Sequence, residues 1–148
     1  MRLTTRFFTA LLLAYSGASL AELGGLPEKF DTPGAAALSS VSSTVSNYVL
    51  RDTALPSGTR VREYISAGGI VFAVTWEGPF LPDLKALLGK HFDTMVADSA
   101  RMPRAGRSRI AMSGREAVIN SGGHMRAFEG SAWLPAEFPA GFTADDVH

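Results

Sequence analysis

The stretch from Ile70 to Trp76, IVFAVTW, limits the fold more than any other part of the sequence. Strand alternation divides it into two faces, with Ile70, Phe72, Val74 and Trp76 on one and Val71, Ala73 and Thr75 on the other. Because both faces are apolar or nearly so, the stretch predicts a central strand that is covered on both sides. The sequence must therefore supply strands beside it and layers above and below it.

Turn signals supply the neighbouring strands. PSG at 56–58 separates SNYVLRDTAL from TRVREYIS, and AGG at 67–69 separates TRVREYIS from the central strand. Proline presets φ in such turns and glycine accepts a positive φ. Three strands joined by short turns predict an antiparallel meander.

After Gly78-Pro79 the apolar period changes from two residues to three or four, which predicts one amphipathic helix within residues 81–99. Strand patterns return in SRIAMSG, EAVINSGG and HMRAFEGSAWL, with turns expected at Gly114 and at Gly122-Gly123. An extended tail follows, whose Phe138 and Phe142 are expected to dock on the core. The predicted fold is α+β: an antiparallel sheet of about six strands, in the order βββ-α-βββ, packed against one amphipathic helix.

Residues 1–21 have the pattern of a secretory signal peptide. Arg2 and Arg6 precede a short apolar run, FFTALLLAY, and Ser19 and Ala21 are the small residues that a signal peptidase requires. The run is about half the roughly 20 residues that a membrane-spanning helix needs. We expect cleavage after Ala21, export to the periplasm or beyond, and no transmembrane segment in the mature chain. The mature chain is predicted to be a flexible arm over 22–46 and a single α+β domain over 47–148.

Composition excludes several kinds of chemistry. The sequence has no cysteine, so thiol nucleophiles, cysteine-ligated zinc and iron–sulfur clusters are absent. No glycine-rich loop links a strand to a helix, so a phosphate cradle is not indicated. Three histidines without a paired spacing do not predict a metal site, and no cofactor is expected.

Two long blocks, LPSGTRVREYISAGGIVFAVTWEGPFLPDLKALLG and GGHMRAFEGSAWLP, resemble a family of small exported proteobacterial proteins known as a domain of unknown function. The likeness covers about residues 48–141, with both blocks in the right order behind a signal peptide. It implies an exported protein of one domain. It implies no activity, substrate or catalytic residue.

Four residues are candidates for a pocket: Trp76, Glu77, His91 and His124. The preferred interpretation of Trp76 is a core residue that ends the central strand, with Glu77 in a solvated turn. His91 lies on the apolar stripe of the helix, where a packed histidine is commoner than a catalytic one. His124 is expected to open the last strand, and His148 is expected to be mobile. Three glutamates, Glu63, Glu77 and Glu129, are open candidates for a glycosidase-type carboxylate pair.

Arginines are concentrated in one connector. Residues 101–126 hold six arginines against Glu116, a net charge of +5, while the whole sequence is neutral. The candidate partner-binding residues are Arg101, Arg104, Arg107, Arg109 and Arg115. Arginine is suited to forked contacts with carboxylate or phosphate, so the expected partner is an envelope protein or an anionic glycan or lipid headgroup, and not nucleic acid. A solvated loop paired with acidic neighbours is the equally weighted alternative.

These observations favour an exported, non-catalytic domain that binds a partner. Two alternatives stay open. One is a small periplasmic hydrolase that uses His91 or a glutamate of the sheet. The other is a carrier of a small apolar ligand, with a pocket between helix and sheet lined by Phe72, Trp76, Leu88 and Phe92.

Overall fold

The structure is a computed structural model that describes residues 22–27, 36–42, 47–101 and 110–148. In these residues seven strands form one antiparallel sheet: β1 (Ala36–Ser42), β2 (Tyr48–Ala54), β3 (Arg60–Ser66), β4 (Val71–Gly78), β5 (Ile110–Ser113), β6 (Val118–His124) and β7 (Ala127–Trp133). Two helices, α1 (Leu84–Leu88) and α2 (Lys90–Arg101), connect β4 to β5. Two 3-10 turns follow β7, at Pro135–Glu137 and Ala144–Asp146. The predicted α+β class and antiparallel sheet are confirmed.

The strand order across the sheet is β1-β2-β3-β4-β7-β6-β5. The predicted meander forms β2, β3 and β4, and its first turn needs Gly58 with a φ of 84°. The helices then carry the chain across to β5, from which two hairpins return β7 to the side of β4. The two halves of the sheet therefore meet at β4, the strand that the sequence marks as central.

The predicted single helix is two helices, because Gly89 interrupts it. Gly89 has a φ of 52°, a conformation that an L side chain rarely adopts. The N–H of Gly89 ends α1 by donating to the carbonyl of Lys85 at 3.0 Å. Helix α2 then restarts at Lys90, whose N–H donates to Glu22 Oε1 at 2.8 Å.

A β-bulge in β4 exchanges the predicted faces of Val71 and Phe72. The register between β3 and β4 runs from Tyr64 opposite Ala73 to Ile65 opposite Val71, so Phe72 is one residue in excess. Val74 and Trp76 pack in the core beneath the helices, whereas Phe72 packs on the opposite side of the sheet. The expectation that Phe72 shares a face with Trp76 is wrong, because strict alternation does not continue through a bulge.

Each face of the sheet has its own apolar cluster. The helix-side core joins sheet residues to the helices and includes Val61, Val74, Trp76, Ile119, Ala132, Leu84, Leu87, Leu88 and Met95. The other face carries an aromatic cluster of Tyr48, Tyr64, Phe72, Phe138 and Phe142. Phe138 and Phe142 dock on Phe72 as predicted, with ring centroids at 5.9 and 4.9 Å. We call the face with the aromatic cluster the open face, because α1 and α2 lie on the other side of the sheet.

The range 22–46, expected as an arm, contains ordered structure. Strand β1 pairs with β2, and Leu23 is only 1% exposed in the helix-side core. Gly24 N donates to the carbonyl of Val71 at 2.8 Å, and Val71 N donates to the carbonyl of Gly25 at 3.0 Å. A high content of Gly, Pro, Ala and Ser suggests a linker. This segment nevertheless contributes Leu23 to the core, and its two glycines let the backbone approach β4 closely.

One predicted turn lies elsewhere. Gly122 and Gly123 are inside β6, and the hairpin turns at Met125 and Arg126, which has a φ of 67°. A side chain at Gly123 would clash with the backbone of β7. Gly123 therefore marks a close strand contact and not a turn.

Candidate functional site

A groove of about 470 Å³ lies on the open face of the sheet. It crosses five strands, from β3 to β5. Its lining in the described residues is Arg60, Arg62, Thr75, Trp76, Glu77, Ala111, Asn120, Ser121, Gly122, Glu129, Gly130, Ser131, Val147 and His148. Its volume is in the range of sites for small molecules or short chain segments.

Strand register explains how polar side chains come together in the groove. One cross-strand row runs Arg60, Glu77, Glu129, Gly122, and the next runs Arg62, Thr75, Ser131, Asn120. Because side chains alternate along a strand, the residues between these rows face the helix-side core. The same alternation that buries one face of the sheet therefore sets charged, hydroxyl and amide groups side by side on the other.

Two hydrogen bonds hold Arg62 at one end of the groove. Its Nε donates to Asp52 Oδ1 at 3.1 Å, and its Nη1 donates to the main-chain oxygen of His148 at 2.6 Å. Burial on its own would lower the pKa of Arg62, but the hydrogen bond and charge of Asp52, together with Tyr64, raise that pKa above its ordinary value. The guanidinium is therefore a permanent, oriented donor.

Glu77 and Glu129 lie opposite each other on β4 and β7, and both are exposed. Arg60 is the register partner of Glu77 on β3, but no ion pair joins it to either glutamate in the described part of the chain. Like charges directly opposite in a sheet repel one another. This row of the groove is thus open to a ligand that neutralises it.

Glu63, the third candidate carboxylate, is on the opposite face of the sheet. It is 0% exposed and accepts from Arg51 Nη1 at 3.4 Å. Of the three glutamates that the sequence leaves as candidates, only Glu77 and Glu129 share a surface. The described residues hold no group of three or more His, Asp or Glu side chains that could bind a metal ion.

Trp76 is a core residue, 2% exposed, although it belongs to the wall of the groove. Gly130 lies opposite it on β7, and a side chain there would overlap the indole ring. The indole Nε1 is buried without a hydrogen-bond partner among the described residues. Sequence reasoning missed Gly130, yet a glycine within a strand is a recognised sign of a close packing contact.

His91 and His124 lie away from the groove. His91 is 6% exposed on α2, beneath the helix side of the sheet, and its Nε2 has no partner in the described residues. Burial lowers the pKa of His91, the charge of Lys90 lowers it further, and Glu116 and Glu22 act in the opposite direction. His124 is exposed and ends β6; it does not open the last strand. The four candidate pocket residues therefore do not form one site.

The structure describes two of the five candidate arginines. Arg101 is exposed at the end of α2 and pairs with Asp98 at 3.0 Å. Arg115 is exposed in the turn between β5 and β6. Arg104, Arg107 and Arg109 lie outside the described residues.

The apolar pocket expected between helix and sheet does not have the expected lining. Leu88 is 0% exposed and Trp76 is packed beside it in the helix-side core, with Phe92 at the margin of that core. Phe72 is in the cluster on the open face, because of the bulge. The four residues therefore cannot line one cavity.

Comparison with known proteins identifies the family. The family described as "Protein of unknown function (DUF2844)" matches residues 19–147. The chain belongs to the DUF2844 family. The family expected from the two sequence blocks is thus confirmed as one of unknown function, while its export and its bacterial source stay predictions. No curated protein and no solved structure matches the chain.

The described part of this DUF2844 chain contains no helix that is both long and apolar enough to span a membrane. Family membership brings no activity or site residue with it. The open groove is therefore the basis for an inference about function.

Proposed function

We propose that this DUF2844 protein is an exported, non-catalytic domain that binds a protein partner through the groove on the open face of its sheet. One observation carries the proposal: five adjacent strands form a groove of about 470 Å³ that presents charged, hydroxyl and amide side chains on the side of the sheet away from α1 and α2. Binding sites are typically concave, and a small number of placed donors and acceptors fixes the orientation of the ligand in them.

The lining suits a partner with mixed polar chemistry. Thr75, Asn120 and Ser131 offer hydroxyl and amide groups, and Arg60 lies beside Glu77 with the opposite charge. Complementary charges at such a surface determine which partner binds and how fast more than they determine the affinity. Arg101 and Arg115 are exposed outside the groove, and their charge would guide an acidic partner toward the domain.

Export is the other half of the proposal. The support is the signal-peptide pattern of residues 1–21, with the small residues Ser19 and Ala21 before the expected cleavage point. The test is the N-terminal sequence of the protein recovered from a periplasmic fraction. A chain that begins at Glu22 supports export, and a chain that retains Met1 in the membrane fraction contradicts it.

The binding surface is tested with two matched charge insertions. Asn120→Arg places a bulky cation on the floor of the groove, and Thr94→Arg places the same cation on the exposed side of α2. A photo-crosslinker at Ser131 in the wild-type chain should form an adduct with one envelope protein in a fixed ratio. We expect Asn120→Arg to reduce that adduct at least tenfold and Thr94→Arg to leave it unchanged.

If both substitutions reduce the adduct equally, or neither does, the groove is not the binding surface. Loss of the adduct at high salt in the wild-type chain would show that charge contributes to binding, because screening weakens exposed ion pairs.

Hydrolysis of a glycoside is a second candidate, and the opposed pair Glu77 and Glu129 favours it. Residues directly opposite in an antiparallel pair have Cβ atoms about 4.5–5.5 Å apart, close enough for two carboxylates to flank one bond. The test is turnover of a panel of chromogenic glycosides by the wild-type chain and by Glu129→Gln. Turnover that disappears in Glu129→Gln supports an enzyme. If the wild type turns over none of the glycosides, hydrolysis is excluded and the binding proposal remains.

A further inference from the structure

The segment from Thr143 to His148 lies against the open face of the sheet, and we call it the strap. Val147 packs on the aromatic cluster, and both Val147 and His148 line the groove. The strap therefore occupies one end of the surface that we assign to the partner.

Main-chain hydrogen bonds hold the end of the strap. The hydroxyl of Tyr64 donates to the main-chain oxygen of His148 at 2.7 Å and accepts from the N–H of His148 at 3.1 Å. Arg62 Nη1 donates to the same oxygen at 2.6 Å. These contacts use only main-chain atoms of the strap, so they do not depend on the side chain of His148.

The strap itself is held by little apolar contact. Ala144 and Asp145 are exposed, and the 3-10 turn at Ala144–Asp146 buries no residue. Thr143 and Asp146 bond to each other, with Asp146 Oδ2 2.8 Å from both the N and the Oγ1 of Thr143, so these bonds would move with the strap. Segments with few buried apolar contacts open at a low free-energy cost.

Phe142, immediately before the strap, is anchored much more firmly. Its ring lies 4.9–5.7 Å from four other rings, those of Tyr48, Tyr64, Phe72 and Phe138. The strap can therefore leave the sheet from Thr143 onward while Phe142 stays in the aromatic cluster. The boundary between the strongly packed Phe142 and the weakly held strap therefore lies at the edge of the groove.

We propose that the strap is a displaceable occupant of the groove, and that an extended polypeptide segment of the partner replaces it on Tyr64 and Arg62. This inference rests on the proposed function and narrows it, because it states that the partner is recognised by its main chain. A polypeptide fits better than a glycan, since Tyr64 bonds to the main-chain oxygen and the N–H of one residue at once. The strap keeps the groove occupied until a partner competes with it.

The test measures competition between the strap and a probe of the same sequence. The probe is a fluorescent, acetylated and amidated peptide of residues 143–148, TADDVH, added to the full-length mature chain. In the wild type the tethered strap competes at an effective concentration on the order of millimolar, so the probe binds weakly. Val147→Ser loosens the strap without changing Tyr64 or Arg62, and Val96→Ser is the matched control, because Val96 is 47% exposed on α2.

We expect Val147→Ser to bind the probe about tenfold more tightly than the wild type does. The substitution removes the apolar contact of a partly buried valine, which weakens the competing strap by roughly 1.5 kcal/mol, and that free energy corresponds to a factor of about ten in affinity. Val96→Ser should bind as the wild type does. Adding Tyr64→Phe to Val147→Ser should return the affinity to the weak range, with circular dichroism showing that the sheet is retained. The backbone amide signal of His148 in a ¹⁵N spectrum should move when the probe binds.

The inference is overturned if the wild type and Val147→Ser bind the probe with equal affinity. It is also overturned if the probe binds and the His148 amide signal does not move. If the groove substitution Asn120→Arg still abolishes the partner adduct in that case, the proposed function stands and only the strap is excluded. If instead Val147→Ser tightens the probe but no partner is captured at the groove, the strap is displaceable and the proposed function falls.

Discussion

At the scale of single residues, Trp76 and Glu77 show how one strand serves two purposes. Consecutive residues of a strand point to opposite faces, so the indole enters the helix-side core while the carboxylate enters the groove. Gly130 makes room for the indole on β7, and the neighbouring Glu129 stands opposite Glu77. The packing of the core and the composition of the groove are therefore set by the same pairs of adjacent residues.

We expect His91 to make the stability of the domain depend on pH. Its pKa is lowered in the folded chain by burial and by Lys90, so the unfolded chain binds a proton more readily than the folded chain does. The free energy of unfolding should be highest above the ordinary histidine pKa of about 6.5 and should fall as the pH drops below it, until the folded-state pKa is passed. The slope from this group alone is at most about 1.4 kcal/mol per pH unit.

The measurement is urea unfolding between pH 7.5 and 5, for the wild type, His91→Gln and His124→Gln. His91→Gln should lose the part of the slope that begins near pH 6.5. His124→Gln should keep it, because His124 is exposed. A slope that survives in His91→Gln would mean that other groups cause the acid sensitivity.

At the scale of secondary-structure elements, the junction between α1 and α2 depends on two residues that are far apart in sequence. A side chain at Gly89 would overlap the side chain of Glu22, which caps α2 by accepting from Lys90 N at 2.8 Å. Gly89→Ala should therefore lower the free energy of unfolding by more than the roughly 1–2 kcal/mol that a positive φ costs an L residue. Urea unfolding would measure the loss.

The control is Gly89→Ala in a Glu22→Ala background, which removes the overlap and leaves only the backbone strain. The cost of Gly89→Ala should be smaller there than in the wild type. Equal costs in both backgrounds would show that Glu22 does not occupy the space beside Gly89.

The elements also show what the sequence could and could not predict. The meander, the turn at 56–58 and the docking of Phe138 and Phe142 follow from period and composition, which are local signals. The bulge at Phe72 left no local signal, because an apolar residue suits either face of a strand covered on both sides. Because of that single shift, Phe72 lies on the open face and cannot line a pocket with Trp76 and Leu88 on the helix side.

The groove could not be predicted from the sequence either, because it depends on which strands become neighbours. Its residues come from β3 to β7, and which of them become neighbours depends on the order in which the strands pair. Glu77 and Glu129 are fifty-two positions apart in the sequence but opposite in the sheet. Single residues such as Glu77 could be named from the sequence, but their assembly into one surface required the crossover between β4 and β5.

At the scale of the whole molecule, the segment that begins at Glu22 joins the start of the described chain to its core. Leu23 is 1% exposed, its N–H donates to the carbonyl of Leu87 at 3.1 Å, and it packs among core residues from both the helices and the sheet. The expected cleavage site after Ala21 lies two residues before it.

Leu23→Ala should therefore destabilise the entire domain and not a local arm. Removal of a buried leucine side chain costs roughly 2–5 kcal/mol, a large share of the stability of a domain of this size. Leu26→Ala is the matched control, because Leu26 is 64% exposed in the same segment, and it should change the free energy of unfolding by less than about 0.5 kcal/mol. Urea unfolding followed by both circular dichroism and tryptophan fluorescence would measure the two variants. A small effect of Leu23→Ala, equal to that of Leu26→Ala, would mean that residues 22–27 are an appendage after all and that the domain folds without them.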